Sequence, residues 1–321
     1  MFRRATARVL PAFAALLFSA PAALLFFSAA APAQPAKLIS QKIAPGVWFL
    51  PGDPSKGYCN NIVIEMKDYL IVVDANYPGR AIELVRQIGQ LSPKPVRLVF
   101  DTHAHRDHSY GNIVWTRAGA TTFAYQGVID EMDRYEPERW LATAAQREDV
   151  RALNLQDAPR PQLVFRDSPF ILKDSTREVR FYFFGWAHTR GDGLVWLPKE
   201  RILCTGDAAV NGPHNKLWDA NLANWPHVLA QASALEPLHV LPGHGDAGGP
   251  EILTGQRQFL QDLYSTVAQQ VAAGKTLSQI NAALPDRDRN WIPANLSPDF
   301  AIAYAEITQH KPAGDIPHQW Q

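Results

Sequence analysis

Residues 103–108, with the sequence His-Ala-His-Arg-Asp-His, constrain the fold of this chain more than any other stretch. They follow an apolar run at residues 96–100, which the pattern predicts to be a buried strand. Imidazole and carboxylate groups bind zinc or iron in proteins, and a strand end presents them from a rigid position. So dense a pattern is uncommon by chance. The sequence therefore predicts a metal site where this strand ends.

The first 33 residues are predicted to be a cleavable signal peptide. Three arginines precede an almost wholly apolar stretch, and Ala31-Pro32-Ala33 provides a small-x-small cleavage site. A retained membrane anchor is the alternative, although prolines interrupt the apolar stretch. We therefore expect a periplasmic or secreted protein with no stable membrane insertion after cleavage.

Composition and charge allow a substantial core and disfavour nucleic acid as a partner. The 321 residues are 46% hydrophobic and 19% charged, which is ordinary for a soluble globular protein. Without the three arginines of the signal peptide, acidic residues are in slight excess and no basic stripe exists, whereas phosphate binding needs clustered Lys and Arg. Cys59 and Cys204 could pair in an exported protein. Cys204 lies in a predicted buried strand, however, which favours two unpaired thiols.

Strand and helix patterns alternate in two blocks along the chain. Apolar runs predict antiparallel strands at residues 47–50, 61–66 and 69–73, then further strands at 96–100, 121–125, 178–184, 193–197, 201–205 and 239–241. Helical spacing predicts helices at residues 80–91, 111–117, 127–155, 225–235, 251–273, 276–284 and 298–310. Residues 156–174 contain three prolines and are predicted to be a long connection. This order favours two sheets packed face to face with helices outside, rather than a doubly wound parallel sheet.

Three more ligand-type residues follow predicted strands in the second half, each close to glycine. His188 follows Gly-Trp-Ala, Asp207 follows a glycine, and His244 has a glycine on both sides. Glycine allows the backbone to turn sharply and direct a neighbouring side chain inward. A lone histidine at a strand end is more often structural than a ligand. Three such positions together with residues 103–108 indicate a shared metal centre.

Taken in order, the motifs His-x-His-x-Asp-His, Gly-x-x-His-Thr, Gly-Asp and Gly-His-Gly resemble those of the metallo-β-lactamase superfamily. The resemblance covers roughly residues 37–260, and Asp74 falls where that family has a structural aspartate after an early strand. It implies an α/β fold, specifically an αββα sandwich of two mixed sheets with helices outside and a metal site along one edge. Residues 37–310 are accordingly expected to form one domain of this type, with C-terminal helices.

The resemblance also implies two zinc ions per chain, held by seven side chains. The first ion would be bound by His103, His105 and His188, the second by Asp107, His108 and His244, and Asp207 would bridge them. The implied activity is hydrolysis, in which zinc-bound hydroxide attacks the carbonyl of an ester, thioester, lactone or amide in a small-molecule substrate. Asp107 and Asp207 are the carboxylates predicted to take part in catalysis. His214 and Lys216, in the loop after Asp207, are candidates for binding a substrate carboxylate, with an ordinary surface loop as the alternative.

Aspartate at position 207 resembles the hydrolytic branch of the family more than its β-lactamases. Class B β-lactamases of the first two subclasses have cysteine there and the third has serine, and Cys204 lies three residues too early to replace it. The chain looks most similar to exported zinc hydrolases of the glyoxalase II-like branch and to those associated with quinoprotein or sulfur oxidation. The alternatives are a mononuclear iron persulfide dioxygenase, which uses fewer ligands, a non-catalytic metal-binding protein, and β-lactamase activity as a side reaction.

Overall fold

The chain begins its first sheet with an antiparallel meander, as the apolar runs predict. The computed structural model describes residues 39–213, 216–280 and 283–317. The strands of the meander are β1 (Gln41–Ala44), β2 (Val47–Leu50), β3 (Asn61–Glu65) and β4 (Leu70–Val73). The predicted signal peptide lies outside the described residues.

Three parallel strands complete the first sheet, and helices connect them. The strands are β5 (Val96–Asp101), β6 (Thr121–Tyr125) and β7 (Leu163–Phe165), and the sheet order is β1 to β7. The helices are α1 (Pro78–Gln87), α2 (Arg106–Ser109), α3 (Asn112–Arg117), α4 (Gln126–Tyr135), α5 (Glu138–Gln146) and α6 (Glu148–Arg151). The helical stretch predicted at 127–155 is thus three helices. Pro137 separates the first two, since proline lacks the backbone N–H that a continuing helix needs.

Neighbouring strands of the second sheet are antiparallel, except for the two strands that come last along the chain. Its strands are β8 (Phe170–Lys173), β9 (Glu178–Phe183), β10 (Gly193–Leu197), β11 (Ile202–Gly206) and β12 (His239–Pro242), in the order β12-β11-β10-β9-β8. β11 and β12 run parallel and are connected through α7 (Trp225–Ser233). The long helices α8 (Glu251–Ala272) and α9 (Ser297–Gln309) follow.

Two predictions of secondary structure are wrong. Residues 156–174 are not a plain connection, because they contain the edge strands β7 and β8 of the two sheets. Residues 276–284 hold no α-helix in their described part, which contains only the 3₁₀ turn Leu277–Gln279. Its capping box, in which Thr276 and Gln279 bond each other's backbone, closes a single turn.

Side-chain alternation along the strands of the first sheet produces the layered architecture. Phe49 and Ile62 point into the space between the sheets, where they join Phe100 and Phe181 in one apolar cluster. Their neighbours on the strands point outward, where Trp48, Val63 and Val72 pack with Ala81 and Leu84 of α1. Helices α7, α8 and α9 cover the second sheet with another cluster. The fold is therefore the predicted αββα sandwich, and each large apolar side chain buried in it contributes about 1.5–3 kcal/mol.

Cys59 and Cys204 are both buried and unpaired, which confirms the favoured prediction of two thiols. Within the described ranges, every helix is too short or too polar to cross a bilayer.

Candidate metal centre

The predicted ligands meet because their strands end at the same edge of the sandwich. In the first sheet, β5 leads into residues 103–108. In the second sheet, β9, β11 and β12 all run in the same direction, since β10 is antiparallel to both of its neighbours and β12 is parallel to β11. His188, Asp207 and His244 follow their carboxyl ends. Backbone hydrogen bonds from Gly193 N to Thr102 O (2.7 Å) and from Asn60 N to Gly243 O (2.8 Å) join the loops of the two sheets.

A strained turn after β4 contacts the histidine motif through hydrogen bonds. Asp74 and Asn76 both have positive φ, 69° and 60°, which is an uncommon conformation for residues other than glycine. Asp74 Oδ1 accepts hydrogen bonds from the backbone N and Oγ1 of Thr102, both at 2.8 Å, and its Oδ2 lies 2.9 Å from His108 Nδ1. The turn therefore fixes both the start of the motif and its last histidine.

One group of donors consists of His103, His105, His188 and Asp207, whose ligand atoms all lie within 4.8 Å of one another. His105 Nδ1 and His188 Nε2 are 2.9 Å apart, and His188 Nε2 is 3.7 Å from Asp207 Oδ2. His103 Nε2 is buried and has no hydrogen-bond partner among the described residues. Leaving such a nitrogen unpaired is costly, so this group fits a cation that would accept the lone pairs of the three imidazoles.

A second group, Asp107, His108 and His244, stands beside the first. His244 Nε2 is 3.0 Å from Asp107 Oδ2 and 3.4 Å from His108 Nε2. Asp207 connects the groups, because its Oδ1 lies 3.4 Å from His108 Nε2 and its Oδ2 lies 3.5 Å from His244 Nε2. The structure thus brings together all seven side chains of the predicted set, with Asp207 between the two groups.

The remaining ring nitrogens of the motif have partners that orient the imidazoles. His103 Nδ1 is 3.1 Å from Thr102 Oγ1, and His105 Nε2 is 2.8 Å from Asp219 Oδ2. Carboxylate and hydroxyl groups in such positions fix the tautomer of a histidine and strengthen it as a metal ligand. Asp219 is fully buried. Asp219 was not predicted, because its only signal in the sequence is an acidic residue flanked by apolar ones.

We expect Asp219→Ala to weaken metal binding by about 10- to 100-fold, because His105 would lose the carboxylate that orients it. Titration against a chromophoric chelator measures the affinity. Asp219→Asn, which keeps an acceptor oxygen, should fall between the wild type and the alanine variant. An unchanged affinity in the alanine variant would show that the contact with His105 does not influence the metal.

The electrostatic environment divides the histidines into two kinds. Burial, reinforced by the neighbouring imidazoles, lowers the pKa of His103 well below its usual value and that of His188 to about 3. Burial also disfavours charge on His108 and His244, but their neighbours outweigh it and raise the pKa of both. For His108 these neighbours are Cys59 and then the carboxylates of Asp207, Asp74 and Asp107, and for His244 they are Asp207 and Asp107. Without a metal, the second group therefore binds protons more firmly than the first.

If each group holds a cation, acidification should release the one in the second group before the one in the first. A cation must displace protons from His108 and His244, whereas His103 and His188 are already neutral and compete little with it. Dialysis of the loaded protein at a series of values from about pH 8 to about pH 5, followed by elemental analysis, should show metal leaving in two steps. Simultaneous loss of all metal in a single step would contradict this order.

Of the two candidates for substrate binding, the structure describes Lys216 only. Lys216 is exposed, and its Nζ lies 5.3 Å from the centroid of the Trp218 ring. His214 lies outside the described residues. Backbone hydrogen bonding from Asn211 N to His244 O (2.9 Å) holds the start of their loop against the second group of donors. A role for either residue in substrate binding stays a prediction.

Comparisons with known proteins match this chain to one family. The model of the metallo-beta-lactamase superfamily matches residues 54–244. A curated relative, the type 2 metallo-beta-lactamase of Bacteroides fragilis, is 32% identical over 107 residues, which make up 32% of this chain and 43% of that protein. The match thus spans less than half of the relative.

Solved structures show the same fold. A metallo-beta-lactamase from Pontibacter korlensis has a TM-score of 0.57 at 20% identity, and the match covers 70% of this chain and 100% of that one. A metallo-beta-lactamase from Pseudomonas aeruginosa in a mono-zinc form has a TM-score of 0.56 at 21% identity, with 70% and 95% covered. At these identities the likeness establishes the architecture alone.

Proposed function

Because this chain belongs to the metallo-β-lactamase superfamily, we propose that it is an exported hydrolase with two zinc ions that cleaves small esters, thioesters or lactones. The observation that carries the proposal is the position of Asp207, which contacts donors of both groups. A carboxylate in that position suits a pair of cations better than a single one. The five imidazoles and two carboxylates are donors typical of zinc.

In this proposal each ion has its own set of ligands. His103 Nε2, His105 Nδ1 and His188 Nε2 would hold one ion. The other ring nitrogens of His103 and His105 contact Thr102 and Asp219, and His188 Nε2 lies 2.9 Å from His105 Nδ1. Asp107 Oδ2, His108 Nε2 and His244 Nε2 would hold the other. When bound, such a pair lowers the pKa of a coordinated water toward neutrality and polarises a substrate carbonyl.

The surrounding residues keep the two carboxyl ligands in the ionised form that metal binding requires. Burial opposes ionisation of Asp107 and Asp207, but the adjacent His108 and His244 outweigh it and lower the pKa of both carboxyl groups. Both are therefore anionic at neutral pH and act as ligands rather than as proton donors. The side chain of Asp107 is 22% exposed while that of Asp207 is 5% exposed, which places Asp107 on the side of the centre that faces solvent.

The substrate class in this proposal rests on the resemblance at position 207. The named relatives are metallo-beta-lactamases, so hydrolysis of β-lactams is the second candidate. The resemblance of an Asp207 site to thioesterases and lactonases favours those substrates, and Lys216 is a candidate for binding a substrate carboxylate. Residues 1–33 have the layout of a signal peptide, which supports action in the periplasm or outside the cell.

Elemental analysis of the purified mature protein, followed by a substrate screen, tests the proposal. We expect about two zinc ions per chain and turnover of a thioester or lactone probe. A chromogenic cephalosporin should be hydrolysed at less than about a hundredth of that rate, since a side activity lacks most of the transition-state stabilisation. About one iron per chain would instead indicate the persulfide dioxygenase alternative. Faster hydrolysis of the cephalosporin than of any other probe would identify a β-lactamase.

A further inference from the structure

A buried arginine donates a hydrogen bond to the backbone of the histidine motif. Arg139 belongs to α5 and is 1% exposed. Its Nη2 donates a hydrogen bond to the carbonyl oxygen of Ala104 at 3.1 Å. Ala104 is itself fully buried and lies between His103 and His105, two proposed ligands of the same ion.

We propose that Arg139 is a positioning residue that sets the separation of His103 and His105 by holding the peptide between them. This inference rests on the proposed metal-dependent function, because it assigns Arg139 a role in metal binding. A charge-assisted hydrogen bond is roughly twice as strong as a neutral one. The single contact at Ala104 O can therefore fix the middle of a loop whose two flanking side chains must converge.

A buried network keeps the guanidinium group itself in place. Arg139 Nε donates to Glu136 Oε1 at 2.8 Å, and the same oxygen accepts from Tyr110 Oη at 2.8 Å. Glu136 Oε2 accepts from the backbone N of Trp140 at 2.7 Å. The side chain of Glu136 is fully buried, so the carboxylate and the arginine neutralise each other in the interior.

The charge of Arg139 also interacts with Asp219, the carboxylate that contacts His105. Asp219, which lies 2.8 Å from His105 Nε2, interacts electrostatically with Arg139. The arginine thus contacts the peptide that precedes His105 and lies within electrostatic range of the carboxylate that contacts the ring of this histidine.

Lysine cannot reproduce this arrangement. The guanidinium is a planar fork that donates in two directions at once, to Glu136 and to Ala104 O, whereas an ammonium group is a point charge on a flexible stem. Arg139→Lys therefore keeps the charge but gives up one of the two fixed contacts. Arg139→Met removes the charge as well and leaves Glu136 buried without its partner.

Arg177 is a matched control at the opposite edge of the sandwich. It is 7% exposed and donates from Nε to Glu200 Oε1 at 3.1 Å. It also donates from Nη1 to Gly46 O at 2.9 Å and from Nη2 to Pro45 O at 2.6 Å. Arg177→Lys thus disturbs a buried arginine of the same kind, with a carboxylate partner and backbone acceptors, without touching the metal centre.

The experiment measures zinc affinity by chelator competition, together with melting temperature in excess EDTA and in excess zinc. For Arg139→Lys we expect zinc binding weakened by about 10-fold or more, with a smaller rise in melting temperature on adding zinc than in the wild type. The cobalt(II)-substituted protein should show an altered ligand-field spectrum. Arg177→Lys should lower the melting temperature equally with and without zinc and leave the affinity unchanged. Arg139→Met should weaken binding further than the lysine variant.

Three results would overturn some part of these assignments. Equal loss of melting temperature with and without zinc in Arg139→Lys, at wild-type affinity, would reduce Arg139 to a structural ion pair and leave the hydrolase proposal intact. Failure of the wild type to bind zinc at all would refute both proposals together. Weakened zinc binding in Arg139→Lys, with a wild type that hydrolyses none of the probes, would support the positioning role and refute the hydrolase.

Discussion

Asp207→Ala should lose at least about a thousandfold in turnover of any probe that the wild type hydrolyses. The side chain is 5% exposed and contacts His108, His188 and His244. Without it the two groups of donors lose their shared ligand, and two cations would face each other across imidazoles with one carboxylate fewer between them. We therefore also expect zinc content to fall below two per chain, as measured by elemental analysis after gel filtration.

Asp246→Ala is the control for this variant. Asp246 lies two residues after His244 and is exposed, so its removal changes the charge near the centre without removing a donor. Its turnover and zinc content should remain close to those of the wild type. If Asp207→Ala kept both full zinc content and wild-type turnover, the assignment of Asp207 as the shared ligand would be wrong.

Asp74→Ala should lower the free energy of unfolding by about 3–5 kcal/mol. Asp74 is 1% exposed and accepts hydrogen bonds from the backbone N and Oγ1 of Thr102, while its Oδ2 lies 2.9 Å from His108 Nδ1. Its removal would leave polar groups of Thr102 and His108 buried without their partner. Because total stabilities are about 5–15 kcal/mol, urea unfolding in excess EDTA should show this loss clearly.

Zinc binding distinguishes the role of Asp74 from that of a carboxylate that only accepts hydrogen bonds from the backbone. Asp74→Ala should also bind the second zinc ion more weakly, since His108 would lose its orienting partner. Asp174 is the comparison, because it accepts hydrogen bonds from the backbone N of Lys67, Thr176 and Arg177 at the far edge of the sandwich. Asp174→Ala should lose about 1 kcal/mol and bind zinc normally. Equal zinc affinity in both variants would contradict the role assigned to Asp74.

Local patterns were sufficient to predict most of the fold. Strands β2 to β6 alternate or are wholly apolar over four to six residues, so a short window of sequence identifies them. The edge strands β7 and β8 were not predicted because they are short and face solvent. Leu163 is 59% exposed and Ile171 is 47% exposed. Edge strands carry no clear apolar face, so neither periodicity nor turn residues distinguish them from a connection.

The ligand motifs were visible in the sequence for a similar reason, since each is a compact cluster of residues at a strand end. The residues that orient those ligands were not. Asp219 is 114 positions from His105, and Arg139 is 35 positions from Ala104. Only the packing of the helices and loops brings these partners together, and neither residue belongs to a motif. A single acidic or basic residue within an amphipathic stretch most often lies at the surface, so no pattern in the sequence indicated that these two are buried.

The spacing of the donors along the chain has a consequence for how the protein acquires its metal. Four of the seven lie within six residues, whereas His188 is 83 positions from His105 and His244 is 136 positions from His108. An unfolded or partly synthesised chain therefore already carries a local chelating peptide, long before the second sheet exists. Zinc that binds there stabilises the denatured ensemble as well as the native one, which reduces its net benefit to stability. Zinc should thus raise the stability of the folded protein by less than its affinity for the native centre alone would give.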